Sequence, residues 1–285
     1  MEMASGWLLL LIPGLIWGAS FLFIAEGLRA IQPNGLTFLR ICIGFTTLAL
    51  FPSARKPVAR ADWGQVAWLG LLWFAFPLSM FPFAEQRVSS ALTGMLNGAN
   101  PLFATLVACW IARRAPSRGV AAGLAVGVAG TIVMALPVLN EGHDSAVGVA
   151  MIVSALVSYG IALSIARSLQ QKYGAVPVIW RAQLVGLALT APLGIPDVLS
   201  AQWSWVPLLS LLALGAFGTA IANVLMAAAA GRFGAARASG TTFLIPAVAL
   251  LLGVAVRHER VALISVVGGG VCISGAWLMK RASHR

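Results

Sequence analysis

Apolar residues fall along this chain in runs of about twenty, joined by short polar segments, the length that carries a helix across a bilayer. Windows of that length predict membrane-spanning helices near 7–25, 35–52, 64–83, 90–112, 119–138, 147–166, 177–195, 205–229, 236–256 and 262–279. The pattern therefore predicts an all-α polytopic membrane protein with ten transmembrane helices. The longest polar connection is only about ten residues, leaving no room between spans for a soluble domain. The first run has no basic stretch before it and no small-residue cleavage site after it, so it predicts a retained span rather than a signal peptide.

Two of these runs are interrupted in the same way. Asn97-Gly98-Ala99-Asn100-Pro101 lies midway along the fourth run, and Thr241-Thr242-Phe243-Leu244-Ile245-Pro246 lies inside the ninth. A helical proline frees the carbonyl four residues earlier, here that of Asn97 or Thr242, where lipid cannot satisfy it. Freed carbonyls beside side-chain amides or hydroxyls are tolerated at membrane depth against other helices or a watery cavity, which points to a pathway. Pro77, Pro101 and Pro246 are candidate hinges.

Pro101 and Pro246 are 145 residues apart, and at that offset Leu69-Gly70 matches Leu214-Gly215, Gly123 matches Gly268, Gly130 matches Gly275 and Met134 matches Met279. Earlier in the two halves the register drifts: Trp17-Gly18 falls near Tyr159-Gly160, and Arg40 near Arg181. The chain thus reads as two five-helix repeats, residues 1–140 and 141–285. Five is odd, so the second repeat must enter the membrane the opposite way up. That is the inverted-repeat architecture of many secondary transporters, whose substrate site lies near the midplane between halves.

Composition agrees: 60% of residues are hydrophobic and 9% charged. The net charge of +11 does not signal nucleic acid, because the basic residues sit in short connections beside apolar runs. With the N-terminus inside, inner connections hold Arg55, Lys56, Arg60, Arg113, Arg114, Arg118, Arg167, Lys172, Arg232, Arg237, Lys280, Arg281 and Arg285, while outer ones hold only Arg29, Arg87, Arg257 and Arg260. Both termini are therefore expected in the cytoplasm and the chain in the plasma membrane, which is the inner membrane of a bacterium. Cys42, Cys109 and Cys272 lie singly in apolar runs and carry no disulfide or metal pattern. His143, His258 and His284 lie outside the spans, and no acid lies near a span centre, so neither a metal, a cofactor nor a central proton relay is expected.

The polar residues that do enter spans form the candidate substrate site. Asn97, Asn100, Ser239 and Thr242 offer hydrogen bonds at the broken positions, or else bond neighbouring helices. Thr219 and Asn223 share one face of the eighth span, and Ser154 and Ser158 one face of the sixth beside Tyr159; serines bonding back to their own helix are the alternative there. Trp17, Trp73 and Phe76 offer aromatic faces deep in their spans, while Trp7, Trp63 and Trp203 suit the interface. Gly119, Gly123 and Gly127 allow close packing on Gly268, Gly269, Gly270 and Gly275 of the tenth span. Arg40 and Arg181 are intramembrane charges, hence functional candidates, but their mirrored depth also suits gating or the tying of loops, Arg40 with Glu26 or Glu85.

Trp17-Gly18-Ala19-Ser20-Phe21, Pro33 followed by Arg40, the two proline-broken spans, and His258-Glu259-Arg260 before a glycine-rich last span resemble the EamA type of the drug/metabolite transporter superfamily, over nearly the whole chain. The resemblance implies an exporter of amino acids or similar metabolites, with YddG-type aromatic amino-acid exporters as a candidate branch. It implies a central cavity lined by the first, third, fourth, sixth, eighth and ninth spans, Ser20 included, with the fifth and tenth packed outside. The halves depart where Arg113-Arg114 stands in place of His258-Glu259, so no role shared by the two halves is expected of Glu259 beyond a surface contact. The partners implied are a small-molecule substrate and the lipid bilayer, with no nucleic acid, the protein acting as a monomer or weak homodimer. The alternatives are an exporter of a different metabolite or drug class, an intramembrane enzyme, for which the chain offers no acid, histidine or paired cysteines at the site, and a non-transporting subunit, which has no use for matched polar breaks.

Overall fold

The computed structural model describes residues 2–140, 142–234 and 238–282; the side chains of residues 2–7 and of Ser239 lie outside the described set. Trp7, Arg237, Ser239, His284 and Arg285 from the sequence reading fall there. Among the described residues the secondary structure is helical throughout, without strands. We number the helices α1 (Glu2–Gly27), α2 (Pro33–Ala49), α3 (Arg60–Glu85), α4 (Ser90–Asn97), α5 (Asn100–Ala112), α6 (Arg118–Leu139), α7 (His143–Tyr173), α8 (Ala175–Leu199), α9 (Trp205–Phe233), α10 (Gly240–Arg257) and α11 (Leu263–Ala282). Eight of them are long and apolar enough to cross a membrane, and α4 with α5 forms a ninth such unit, bent by 42°. The remaining run, α2, has 17 residues.

The bend between α4 and α5 has a local cause. Asn97 ends α4, Gly98 and Ala99 turn, and Pro101 falls in the first turn of α5, where its missing N–H costs nothing. The ninth run behaves alike: a 3₁₀ turn over Ser239–Phe243 precedes the α-helix that starts at Leu244, with Pro246 near its beginning. Each proline marks a helix restart rather than an interior kink.

A second pair of irregularities was not predicted. Gly70–Ala75 inside α3 and Leu214–Ile221 inside α9 wind as π-helix. A π turn misaligns backbone groups and leaves carbonyls for other partners. Neighbouring side chains take them: Ser158 Oγ donates to Leu72 O at 2.8 Å, Trp17 Nε1 to Gly218 O at 3.0 Å, and Gln183 Nε2 to Thr219 O at 2.8 Å.

The glycine seam forms as the spacing predicts, between α6 and α11. A Cβ on Gly130 would lie 2.3 Å from Cys272 N, one on Gly268 2.4 Å from Met134 N, and one on Gly275 2.2 Å from Gly127 N. The two backbones touch, and no side chain fits between them. Neither helix lines the central cavity described next. Trp63 and Trp203 are partly exposed, as interfacial anchors should be.

Candidate functional site

A cavity of about 390 Å³ occupies the centre of the bundle, within the range of small-molecule sites. Small residues bring its walls together. A Cβ on Gly98 would lie 2.3 Å from Pro246 Cγ, so the two helix breaks pack directly on each other. A Cβ on Gly18 would lie 2.5 Å from Val248 Cβ, which seats α1 against α10.

Trp17, Ser20, Trp73, Asn97, Asn100, Pro101, Tyr159, Thr219, Asn223 and Thr242, all singled out in the sequence, line this one cavity. Phe21, Phe74 and Phe81 extend the aromatic wall, with Tyr159 stacked on Phe81 at 6.1 Å between centroids. The sequence held no signal separating these phenylalanines from lipid-facing ones. Asn97 and Asn100 each bury an amide oxygen with no hydrogen-bond partner. Asn223 Nδ2 donates to Thr219 O at 3.1 Å, and Ser20 Oγ to Ile16 O in its own helix at 2.9 Å.

Several candidates sit elsewhere. Phe76 is 36% exposed and absent from the lining, because the π segment before it rotates α3 and turns that ring outward. Ser158 is buried and neither faces the cavity nor bonds within its own helix, since it is taken up by Leu72 O. Ser154 does bond back, to Met151 O at 2.7 Å. Pro77 and Pro246 are buried beside the cavity rather than in its lining. The Ser239 side chain lies outside the described residues.

The two arginines part company. Arg181 Nη1 donates to Ala54 O at 3.0 Å and Pro177 O at 3.2 Å, tying a loop as one reading anticipated. Arg40 pairs with neither Glu26 nor Glu85. It lines the cavity and donates from Nε to Thr219 Oγ1 at 2.9 Å. The reason is packing: a Cβ on Gly44 would lie 2.8 Å from Thr219 Cγ2, and one on Gly215 2.5 Å from Ile43 Cβ. This close approach of α2 to α9 carries Arg40 inward. Together with Ile179 of α8 it adds the second and seventh spans to the six that were expected to form the wall. Gln183, fully buried in α8, was missed; its only sequence signal is an amide in the middle of an apolar run.

The cavity reaches toward one end of the molecule. Its lining runs to Gln170, Ala175 and Ala230, at the ends of α7, α8 and α9. Toward the other end it stops at Ile24 and Phe81, and beyond them lies an ion-pair network. Arg257 bridges Glu26 and, at 3.1 Å, Glu259. Glu259 also accepts from Ser90 N at 3.1 Å, Ser90 Oγ at 2.8 Å and Ala91 N at 2.8 Å. It therefore caps the positive N-terminus of α4, far more than the surface contact expected of it. The cap escapes sequence reading because the donors and the carboxylate are about 170 residues apart along the chain. Glu85, nearby at the end of α3, buries both carboxylate oxygens without a hydrogen bond.

Comparison with known proteins agrees with this arrangement. The sequence pattern of the EamA-like transporter family matches residues 4–136 and again residues 146–281. An uncharacterised transporter of Archaeoglobus fulgidus is 23% identical over 276 residues, covering 96% of this chain and 98% of that one. A probable terminal-alkyne amino-acid exporter of Streptantibioticus cattleyicolor is 25% identical over 271 residues, covering 93% and 90%. The uncharacterised transporter YdfC of Bacillus subtilis is 26% identical over 267 residues, covering 91% and 86%. A solved crystal structure superposes with a TM-score of 0.67 at 19% identity, covering 99% of this chain and 98% of the other, which indicates a shared fold.

Proposed function

This chain belongs to the EamA-like transporter family and is a multi-pass membrane transporter, and from that premise we propose that it exports amino acids with apolar or aromatic side chains, or similar small metabolites, by alternating access. The observation that carries the proposal is the pairing, in one central cavity, of two buried amide oxygens without partners and a wall of aromatic rings. The amides of Asn97 and Asn100 accept N–H donors from a substrate head group. The rings of Trp17, Trp73, Phe81 and Tyr159 take up its body. The likeness to a probable amino-acid exporter supports the same class.

The family pattern matches twice, and features 145 residues apart recur in the structure. Both π segments, both proline restarts and the left-handed residues Arg113 and His258 fall at that spacing. These recurrences support two five-helix repeats and ten spans, with α2 as the shortest, and an odd number per repeat inverts the second. The distribution of basic residues supports a cytoplasmic location for both termini and for the end toward which the cavity extends. In this state the site faces the cytoplasm and the Arg257 network closes the outer end. Export requires that network to part and the cytoplasmic ends of α7, α8 and α9 to close.

Counterflow in proteoliposomes tests the proposal: vesicles are loaded with one amino acid and labelled candidates are added outside. Labelled phenylalanine or threonine should accumulate, and Asn97→Ala and Trp17→Ala should each slow it about tenfold, the equivalent of one good polar or aromatic contact. Folded protein that exchanges no amino acid would refute the substrate class.

A further inference from the structure

Among the described residues Arg40 is the one charged residue in the cavity lining, and the protein leaves most of it unused. The residue is 6% exposed, and only its Nε is engaged, donating to Thr219 Oγ1 at 2.9 Å. That hydroxyl passes its own proton to Leu214 O at 3.1 Å, so the contact fixes the plane of the guanidinium without neutralising it. Among the described residues the Nη atoms make no hydrogen bond, and no carboxylate lies within ion-pair distance. Glu85, one of the two acids suggested as its partner, forms no ion pair with it and has neither oxygen hydrogen-bonded.

A guanidinium carries five N–H donors in a rigid fork that matches a carboxylate, and here four remain. A cation without an ion-pair partner at membrane depth is costly, and an occupant carrying the opposite charge offsets that cost. We infer that Arg40 is the carboxylate anchor of the cavity. The substrate presents a carboxylate to the two Nη atoms, lays its apolar body along Trp17, Trp73, Phe81 and Tyr159, and turns any ammonium toward Asn97 and Asn100. The site thereby requires an acid and rejects the corresponding amine or amide. This inference rests on the cavity being the transport site proposed above.

Four probes that share one phenylethyl body separate the possibilities: L-phenylalanine, L-phenylalaninamide, 3-phenylpropanoate and phenethylamine. Binding is read from thermal stabilisation and tryptophan quenching of the purified full-length chain. Wild type should bind the two carboxylates at least tenfold more tightly than the two compounds that lack one, the scale of a charge-assisted hydrogen bond. Arg40→Gln should erase that preference, and Arg40→Lys should keep part of it. Equal binding of phenylalanine and its amide by wild type overturns the inference without any variant, which matters should Arg40→Gln fail to fold. A folded Arg40→Gln that keeps the preference, or a wild type that binds none of the four, also overturns it. Counterflow with the same compounds separates the two readings. Carboxylates that bind without any amino acid being exchanged leave the anchor standing and remove the export proposal. Equal exchange of phenylalanine and its amide does the reverse.

Discussion

Arg40 and Arg181 occupy corresponding helices of the two stretches that match the family, yet one faces the cavity and the other a loop. Arg40 meets only a hydroxyl, whereas Arg181 spends one nitrogen on two backbone carbonyls and lays its guanidinium over Trp180 at 5.5 Å. The carboxylate of Glu259 and the exposed Arg114, 145 residues apart, show the same divergence. Both follow the same left-handed helix end, at His258 and Arg113, but only Glu259 can cap a helix N-terminus. Backbone form is common to the two stretches and side-chain chemistry is not. On the export proposal, the shared backbone form lets the two stretches exchange conformations, and the unmatched charges select the substrate.

The comparison breaks most completely where the stretches are alike. Gly127 and Gly275 meet backbone to backbone in the seam of α6 and α11, so Gly275→Val puts a side chain where 2.2 Å is available. No neighbouring side chain can yield, because the obstacle is main chain. The expected outcome is loss of folded protein, read as a missing monodisperse peak on size exclusion in mild detergent. Ser274→Val, one residue away on an exposed position that bonds only Gly270 O, should leave the yield unchanged.

Much of this was legible in the chain. The positions of the helices, the seam and the two breaks follow from apolar run length, glycine spacing and proline, all local signals. Nine of the twelve residues nominated for the site meet at one cavity, Phe76 and Ser158 do not, and the side chain of Ser239 lies outside the described residues. Those two failed for one reason. Each depends on the π segment Gly70–Ala75, which rotates Phe76 outward and offers Leu72 O to Ser158. Nothing in Gly70-Leu71-Leu72-Trp73-Phe74-Ala75 announces a wide turn, because it is stabilised by donors from other helices. The place of Arg40 was hidden likewise, since it follows from how closely Gly44 and Gly215 let α2 approach α9.

The outer network gives a smaller and sharper test of the difference between Glu259 and Arg114. Glu259→Gln keeps the shape and one acceptor but removes the charge that Arg257 and the α4 N-terminus share. We expect a loss of about 1–3 kcal/mol, seen as a lower thermal midpoint, from a charge-assisted cap and a partly buried pair. Access should change with it. With Cys42, Cys109 and Cys272 replaced by alanine, a thiol placed at Phe81 should react several-fold faster with an impermeant reagent added outside. Arg114→Ala, exposed and without a cap to lose, should shift stability by less than about 0.5 kcal/mol and leave that rate unchanged. Equal effects of the two variants would mean that the Glu259 contacts do not hold the outer end shut.

The smallest effect belongs to the arginine that looks most like Arg40. Arg181 is half-buried, and it ties Ala54 of the loop after α2 to Pro177 in the first turn of α8. Arg181→Gln retains one donor, and the Asp62 pair with Lys172 at 2.7 Å, joined by the Tyr173 hydroxyl, still holds the start of α3, where that loop ends, to the end of α7. The cost should be about 1 kcal/mol of stability, the net worth of a hydrogen bond or two. Counterflow at saturating substrate should stay within about twofold of wild type, because no atom of Arg181 lines the cavity. Should Arg181→Gln instead impair exchange as deeply as Arg40→Gln, the loop it ties would have to move during transport. The two arginines would then be equivalent gates rather than one anchor and one strut.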